Sequence, residues 1–201
     1  MIRNFINKNM NVSLENIVIK KTEKSHARAI HAIDKECFSD PWSMESIRYE
    51  ITMPKSICFV AVNTEDIYKP ENNWLVRMLL RFTGERIVGH ITMRHVLDEG
   101  HINNIAVTKR ARRHGIGQKL IESAISESKK LGITKITLEV RSKNHPAISL
   151  YEKLGFKTCG LRKEYYRNPP DDAIVMVNEV NANTFAQQKC ETLLEVNANK
   201  K

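Results

Sequence analysis

Residues 104–118 read Asn104-Ile105-Ala106-Val107-Thr108-Lys109-Arg110-Ala111-Arg112-Arg113-His114-Gly115-Ile116-Gly117-Gln118. Asn104 to Val107 is a short apolar run, which predicts a strand. A basic loop follows. From Gly115 to Leu131 the apolar residues Ile116, Leu120, Ile121, Ala124, Ile125 and Leu131 fall on one stripe, which predicts a long amphipathic helix, and Gly132 is placed to end it. The order strand, loop, glycine-flanked helix start has a physical logic. The first turn of a helix carries unpaired N–H groups and the positive end of the helix dipole, so it accepts a phosphate. Glycines let the backbone come close to the anion. The segment lacks the Gly-Lys-Ser/Thr of a Walker loop, and it lacks the third glycine of a dinucleotide fingerprint.

Outward from this stretch the chain alternates strands and helices. Strands are predicted at Ile17–Ile19, Ile57–Val62, Ile87–Arg94, His101–Val107 and Lys135–Val140, with two more near Lys157–Lys163 and Ala173–Asn178. Helices are predicted over Ser25–Cys37, from an N-cap at Ser43 to about Met53 before Pro54, and over Pro146–Leu154. Interleaved helices and strands mean an α/β (α+β) domain, and it spans residues 15–180. Residues 1–14 read as a flexible extension in which Met10 offers an alternative start, and 181–201 as a polar tail. The insertion 64–86 holds Trp74, Leu75, Met78, Leu79 and Phe82 on one helical face, which fits a small packed helix or a docking lid.

Arg112-x-x-Gly115-x-Gly117 resembles the Arg/Gln-x-x-Gly-x-Gly/Ala signature of the GCN5-related N-acetyltransferases (GNAT). A second block agrees: Leu138-Glu139-Val140-Arg141, then Asn144, then Tyr151-Glu152-Lys153-Leu154-Gly155-Phe156. Together with Phe38 to Ser43, Arg162 to Tyr166 and Asp172 to Met176, these blocks are similar to the bacterial ribosomal-protein-alanine (RimI-type) branch. The resemblance implies a twisted, mixed, mostly antiparallel sheet of about seven strands with about four helices, splayed between the fourth and fifth strands. It implies acetyl-CoA as co-substrate, with pantetheine along the backbone of Ile105, Ala106 and Val107. The pyrophosphate then lies on the N–H groups of Arg113, His114, Gly115, Ile116, Gly117 and Gln118 beside Arg112. Asn144 bonds the pantetheine arm or nearby backbone. Glu139 is implied as general base, directly or through water, and Tyr151 as general acid. The backbone N–H near Val107 is a candidate to polarise the thioester carbonyl. The resemblance implies direct transfer to the N-terminal alanine of a small-subunit ribosomal protein.

Each residue also has a plainer reading. Glu139 fits a solvent-facing strand position and Tyr151 a core tyrosine. Tyr165 and Tyr166 either cover a peptide N-terminus or pack a hairpin, and His101, His114 and Glu99 read as surface or supporting groups. A lysine side chain, a polyamine or another small amine is the alternative acceptor. Nucleic-acid binding and non-catalytic acyl-CoA binding are different classes.

Composition narrows these choices. At 41% hydrophobic and 27% charged, the 201-residue chain is globular. It has no stretch of ~18 apolar residues to span a membrane, and no apolar leader follows Met1. Four dispersed cysteines without a C-x-x-C pair argue against a zinc ribbon or a disulfide framework and fit a reducing cytoplasm. The histidines show no metal-ligand spacing, so no metal is expected. The net charge is +9, and residues 109–119, with Lys109, Arg110, Arg112, Arg113 and Lys119 and no acid, supply +5 of it. The excess sits where a phosphate-bearing co-substrate docks, with no aromatics interleaved as nucleic-acid binding would need. No nucleic-acid or membrane partner is required, and a monomer or weak dimer is expected.

Overall fold

The computed structural model describes residues 13–64 and 86–180. Residues 1–12, the helix expected around Trp74 and Phe82, and the tail 181–201 lie outside the described residues. Seven strands make one sheet: β1 (Ile17–Lys21), β2 (Ser56–Asn63), β3 (Arg86–Val96), β4 (Glu99–Val107), β5 (Lys135–Arg141), β6 (Lys157–Arg167) and β7 (Pro170–Glu179). Their order is β1-β2-β3-β4-β5-β7-β6, and every pair is antiparallel except β4 with β5. Four helices are described: α1 (Ala27–Cys37), α2 (Met44–Thr52), α3 (Ile116–Lys130) and α4 (His145–Lys153). None is long and apolar enough to cross a membrane.

The helices cover both faces. Ile30, Ile33 and Ile47 of α1 and α2 pack with Val60, Val62, Ile87 and Ala106 on one face. Ile116, Leu120, Ile121 and Ala124 of α3 pack on the other with Ile91, Ile102, Ile136 and Leu138, and α4 joins this second cluster through Ala147, Ile148 and Leu150. The local starts follow the sequence. Ser43 caps α2 by accepting from the Ser46 N–H at 3.1 Å, and Pro146 occupies the first turn of α4.

β6 and β7 extend beyond the predicted 157–163 and 173–178. The added residues Tyr166 and Arg167 pair with Asp171 and Pro170. β6 is an edge strand exposed along nearly its whole length, so it lacks the apolar alternation by which strands are read.

One register break shapes the site. Across β3 and β4, Thr92 pairs with Asn104 but Met93 pairs with Ile102, so Asn103 is an extra residue on β4. Ile102 and Ile105, three apart, therefore both pack against the α3 face. The parallel pairing of β4 with β5 runs from Glu99↔Lys135 to Ile102↔Leu138 and stops there. Beyond the bulge β4 stays paired to β3 and β5 stays paired to β7, and the two strands part.

Near the end of β4, β3 approaches closely because Gly89 has no side chain: a Cβ there would lie 2.9 Å from the Ala106 carbonyl oxygen. Gly89→Ala is expected to destabilise the protein by about 1–3 kcal/mol, as overpacking a fixed backbone does. A urea midpoint equal to that of the parent would show that the strands separate without cost.

Candidate functional site

The parted strands form a slot with two chemically different ends. Thr108 N–H donates to the Val88 carbonyl at 2.9 Å, so by strand alternation the polar groups of Ile105 and Val107 turn away from β3 and towards the slot. The Val107 carbonyl accepts from Arg112 Nε at 3.1 Å and from the Cys37 thiol at 3.4 Å. Arg112 Nη2 also reaches Cys37 Sγ at 3.4 Å. Burial raises the Cys37 thiol pKa, and the Arg112 hydrogen bond works against that rise.

After the short 3-10 turn Lys109–Ala111, Arg113 and Gly115 both take left-handed backbone, with φ of 68° and 73°. Such alternating turns aim successive N–H groups into one concavity, a nest for an anion. The helix adds to it, because the N–H groups of its first turn have no helical acceptor; the first helical bond here is Lys119 N–H to Gly115 at 3.0 Å. The His114 ring folds back on the Arg112 carbonyl at 2.8 Å. The Gln118 side chain donates to Glu122 at 2.8 Å and accepts from Lys153 at 3.0 Å, tying α3 to α4. At the back of the loop Leu14 lies over Gly115, 3.3 Å from where a Cβ would stand, and Lys119 Nζ donates to the Leu14 carbonyl at 3.0 Å.

The other end of the slot holds Glu139. Ile136, Leu138 and Val140 face the α3 core, so Thr137, Glu139 and Arg141 face the opposite side. The Glu139 side chain is only 9% exposed. One oxygen meets His101 Nε2 at 3.0 Å and the other meets Arg162 Nη2 at 3.2 Å. Tyr166 lies above, its hydroxyl donating to the Glu139 carbonyl at 3.4 Å and its ring 4.2 Å from the Arg141 guanidinium. Arg141 in turn donates to the carbonyls of Asn168 and Pro169, which fixes the β6–β7 turn beside the site.

Tyr151 stands on α4 with its ring buried edge-on against Phe156, centroids 5.7 Å apart. Burial, with a smaller contribution from Tyr166, raises its hydroxyl pKa and keeps it protonated. Asn144 is the N-cap of α4, its side-chain oxygen accepting from the Ala147 N–H at 3.4 Å.

The structure thus brings Ile105, Ala106 and Val107 next to the loop from Arg112 to Gln118, and sets Glu139 on the facing strand. Asn144 is engaged with its own helix, and Arg112 with the end of β4. Two contacts went unread in the sequence. His101 and Arg162 hold Glu139 from strands far away in the chain, and only the β4–β5 register, His101↔Thr137, brings the first of them within reach. Among the described residues no group of three or more His, Cys, Asp or Glu side chains is placed to hold a metal.

Comparison with known proteins identifies the family. The model of the acetyltransferase (GNAT) family matches residues 27–156. The chain belongs to the GNAT acetyltransferase family. Like its relatives it is an N-acetyltransferase. A Bacillus subtilis protein with the provisional name [ribosomal protein bS18]-alanine N-acetyltransferase is 28% identical over 152 residues, 76% of this chain and 88% of that one. The [ribosomal protein bS18]-alanine N-acetyltransferase of Escherichia coli K12 is 45% identical over 83 residues, so the match spans 40% of this chain and 56% of the relative. The crystal structure of the ribosomal-protein-S18-alanine N-acetyltransferase from Escherichia coli superimposes with a TM-score of 0.66 at 28% identity, covering 82% of this chain and 94% of that one.

Tyr166 is half-buried beside Glu139. Burial first, and Tyr165 second, push its hydroxyl up to about 12. An unfolded tyrosine ionises near pH 10. The folded state therefore resists a deprotonation that the unfolded state accepts, so Tyr166's contribution to stability is complete below about pH 10 and is lost as pH rises from there to about 12. Ultraviolet difference titration of the parent against Tyr166→Phe is expected to remove one late-titrating phenol. Removal of an ordinary one instead would show that burial does not hold the Tyr166 proton.

Proposed function

We propose that the protein is an acetyl-CoA-dependent N-terminal acetyltransferase that acts on the alanine-initiated N-terminus of a small-subunit ribosomal protein by direct transfer. The observation that carries this reading is the parted β4–β5 pair, with an anion nest at one end and the nearly buried Glu139 carboxylate at the other. The outward polar groups of Ile105 and the outward N–H of Val107 suit an amide-bearing arm lying as a strand in the place β5 has left. The nest from Arg113 to Gln118 suits a pyrophosphate. Acetyl-CoA supplies the acetyl group and a sulfur leaving group when bound.

The chain's own residues then divide the work. The acceptor amine must lose a proton before it can attack. Glu139 takes that proton, directly or through water, on lone pairs not used by His101 and Arg162. The N–C bond forms as the C–S bond breaks, and Tyr151 delivers its proton to the departing sulfur. The backbone N–H near Val107 polarises the carbonyl. Tyr165, Tyr166 and the turn held by Arg141 stand beside the place where the peptide N-terminus arrives. The choice of an alanine N-terminus rests on the similarity to the bS18-alanine enzymes.

Release of coenzyme A with an Ala-initiated peptide, against free lysine and a polyamine, tests the acceptor. The peptide is expected to turn over faster, and equal or better turnover of the small amines overturns the assignment. Glu139→Gln is expected to lower kcat by about 100-fold or more, as loss of a general base does. Tyr151→Phe is expected to lower kcat as well, with unchanged coenzyme A binding. If both variants keep the parent rate, the roles are wrong.

A further inference from the structure

We propose that His101, oriented by Thr137, is a positioning residue for Glu139 in the acetyl transfer. The inference rests on the reading of Glu139 as the base and extends it to the residues that hold the base in place. His101 stands on β4 one residue before Ile102, where the pairing with β5 ends, and so at the throat of the slot. Its Nε2 lies 3.0 Å from one Glu139 oxygen, and its Nδ1 lies 2.9 Å from the Thr137 hydroxyl. The side chain is 42% exposed, against 9% for Glu139, so a half-exposed ring contacts a nearly buried carboxylate.

The hydrogen-bond inventory gives Thr137 its part. A hydroxyl has one proton to donate and lone pairs to accept with. The Thr137 hydroxyl has two candidate partners, His101 Nδ1 at 2.9 Å and the Gly100 carbonyl at 3.3 Å. When Nδ1 is bare, the hydroxyl donates to it. When Nδ1 carries a proton, the hydroxyl accepts from it and donates to the Gly100 carbonyl instead. Nε2 stays a donor to Glu139 in both arrangements, and no polar group is left without a partner. Thr137 and Glu139 are two apart on β5 and so share a face, which lets one ring bridge them. Arg162 holds the other carboxylate oxygen, and Arg94 of β3 lies opposite His101 in the register. His101 and Arg162 together fix both oxygens, leaving the carboxylate little freedom to rotate, and misplacing a base by about 1 Å can cost about 100-fold in rate.

The test compares kcat and KM for full-length variants with an Ala-initiated peptide. His101→Ala is expected to lower kcat by about 10- to 100-fold with KM for acetyl-CoA unchanged. His101→Gln places an amide donor near the former Nε2 and is expected to recover most of that loss. Thr137→Ser should keep the parent kcat, and Thr137→Val should lower it. A parent-like kcat in His101→Ala overturns the proposal, and so does a His101→Gln variant as slow as His101→Ala. Glu139→Gln run alongside separates the two levels. If it is slow while His101→Ala is not, only the positioning role fails. If it keeps the parent rate, the base assignment has failed and the positioning role falls with it.

Discussion

Backbone polar groups inside a protein need partners, and a sheet usually supplies them from the strands on either side. β4 breaks that arrangement. Beyond Ile102 it has β3 on one flank and no strand on the other, because Asn103 bulges the strand where β5 turns away. The bulge is anchored from the α1 side. Asp34, fully buried, accepts from Asn104 at 3.2 Å and pairs with His90 of β3 at 2.8 Å. A buried carboxylate is costly unless its oxygens are satisfied, and here each has one partner. Breaking this group would leave a charge stranded beneath the slot. Arg112 and Cys37 already engage the Val107 carbonyl, so the outer end of the unpaired edge is partly served by the protein itself.

The slot's two ends follow from the same parting. At one end the chain leaves β4, turns through two left-handed residues and enters α3, so its N–H groups converge where the basic residues are densest. At the other, β5 carries an acid on the face away from α3, where a histidine and an arginine meet it. A positive anion seat and a held carboxylate are separated by the stretch of β4 that has no partner strand on the β5 side. That spacing suits a long co-substrate with a phosphate group at one end and its reacting atom at the other.

Much of this was legible in the chain. Apolar stripes and glycine punctuation located α3 and its start, and the paired motifs around Gly115 and Tyr151 pointed to the family. The legible parts are those governed by local periodicity. What stayed hidden depends on which strands lie side by side. His101 carries no local sign of its carboxylate partner, since that partner is set by a parallel register between strands about 35 residues apart in sequence. Arg162 lies on an edge strand whose two faces are both polar, so pattern alone could not orient it. The motif leaves Asn144 two uses, the pantetheine arm or nearby backbone, and its oxygen accepts from the Ala147 N–H at the start of α4. A single asparagine after a strand and before a proline-started helix satisfies either use equally well in sequence.

The contact at the back of the anion nest ties distant parts of the chain together. Leu14 covers Gly115, and Lys119 clasps the Leu14 carbonyl, so the first described turn of the chain is latched to the first turn of α3. Residues about a hundred positions apart thereby share one local opening equilibrium. Whatever steadies α3's first turn also steadies the entry into β1. In the reverse direction, a truncation that removes Leu14 acts on the helix start. For this fold, the choice of where the polypeptide is cut becomes a perturbation of the anion nest.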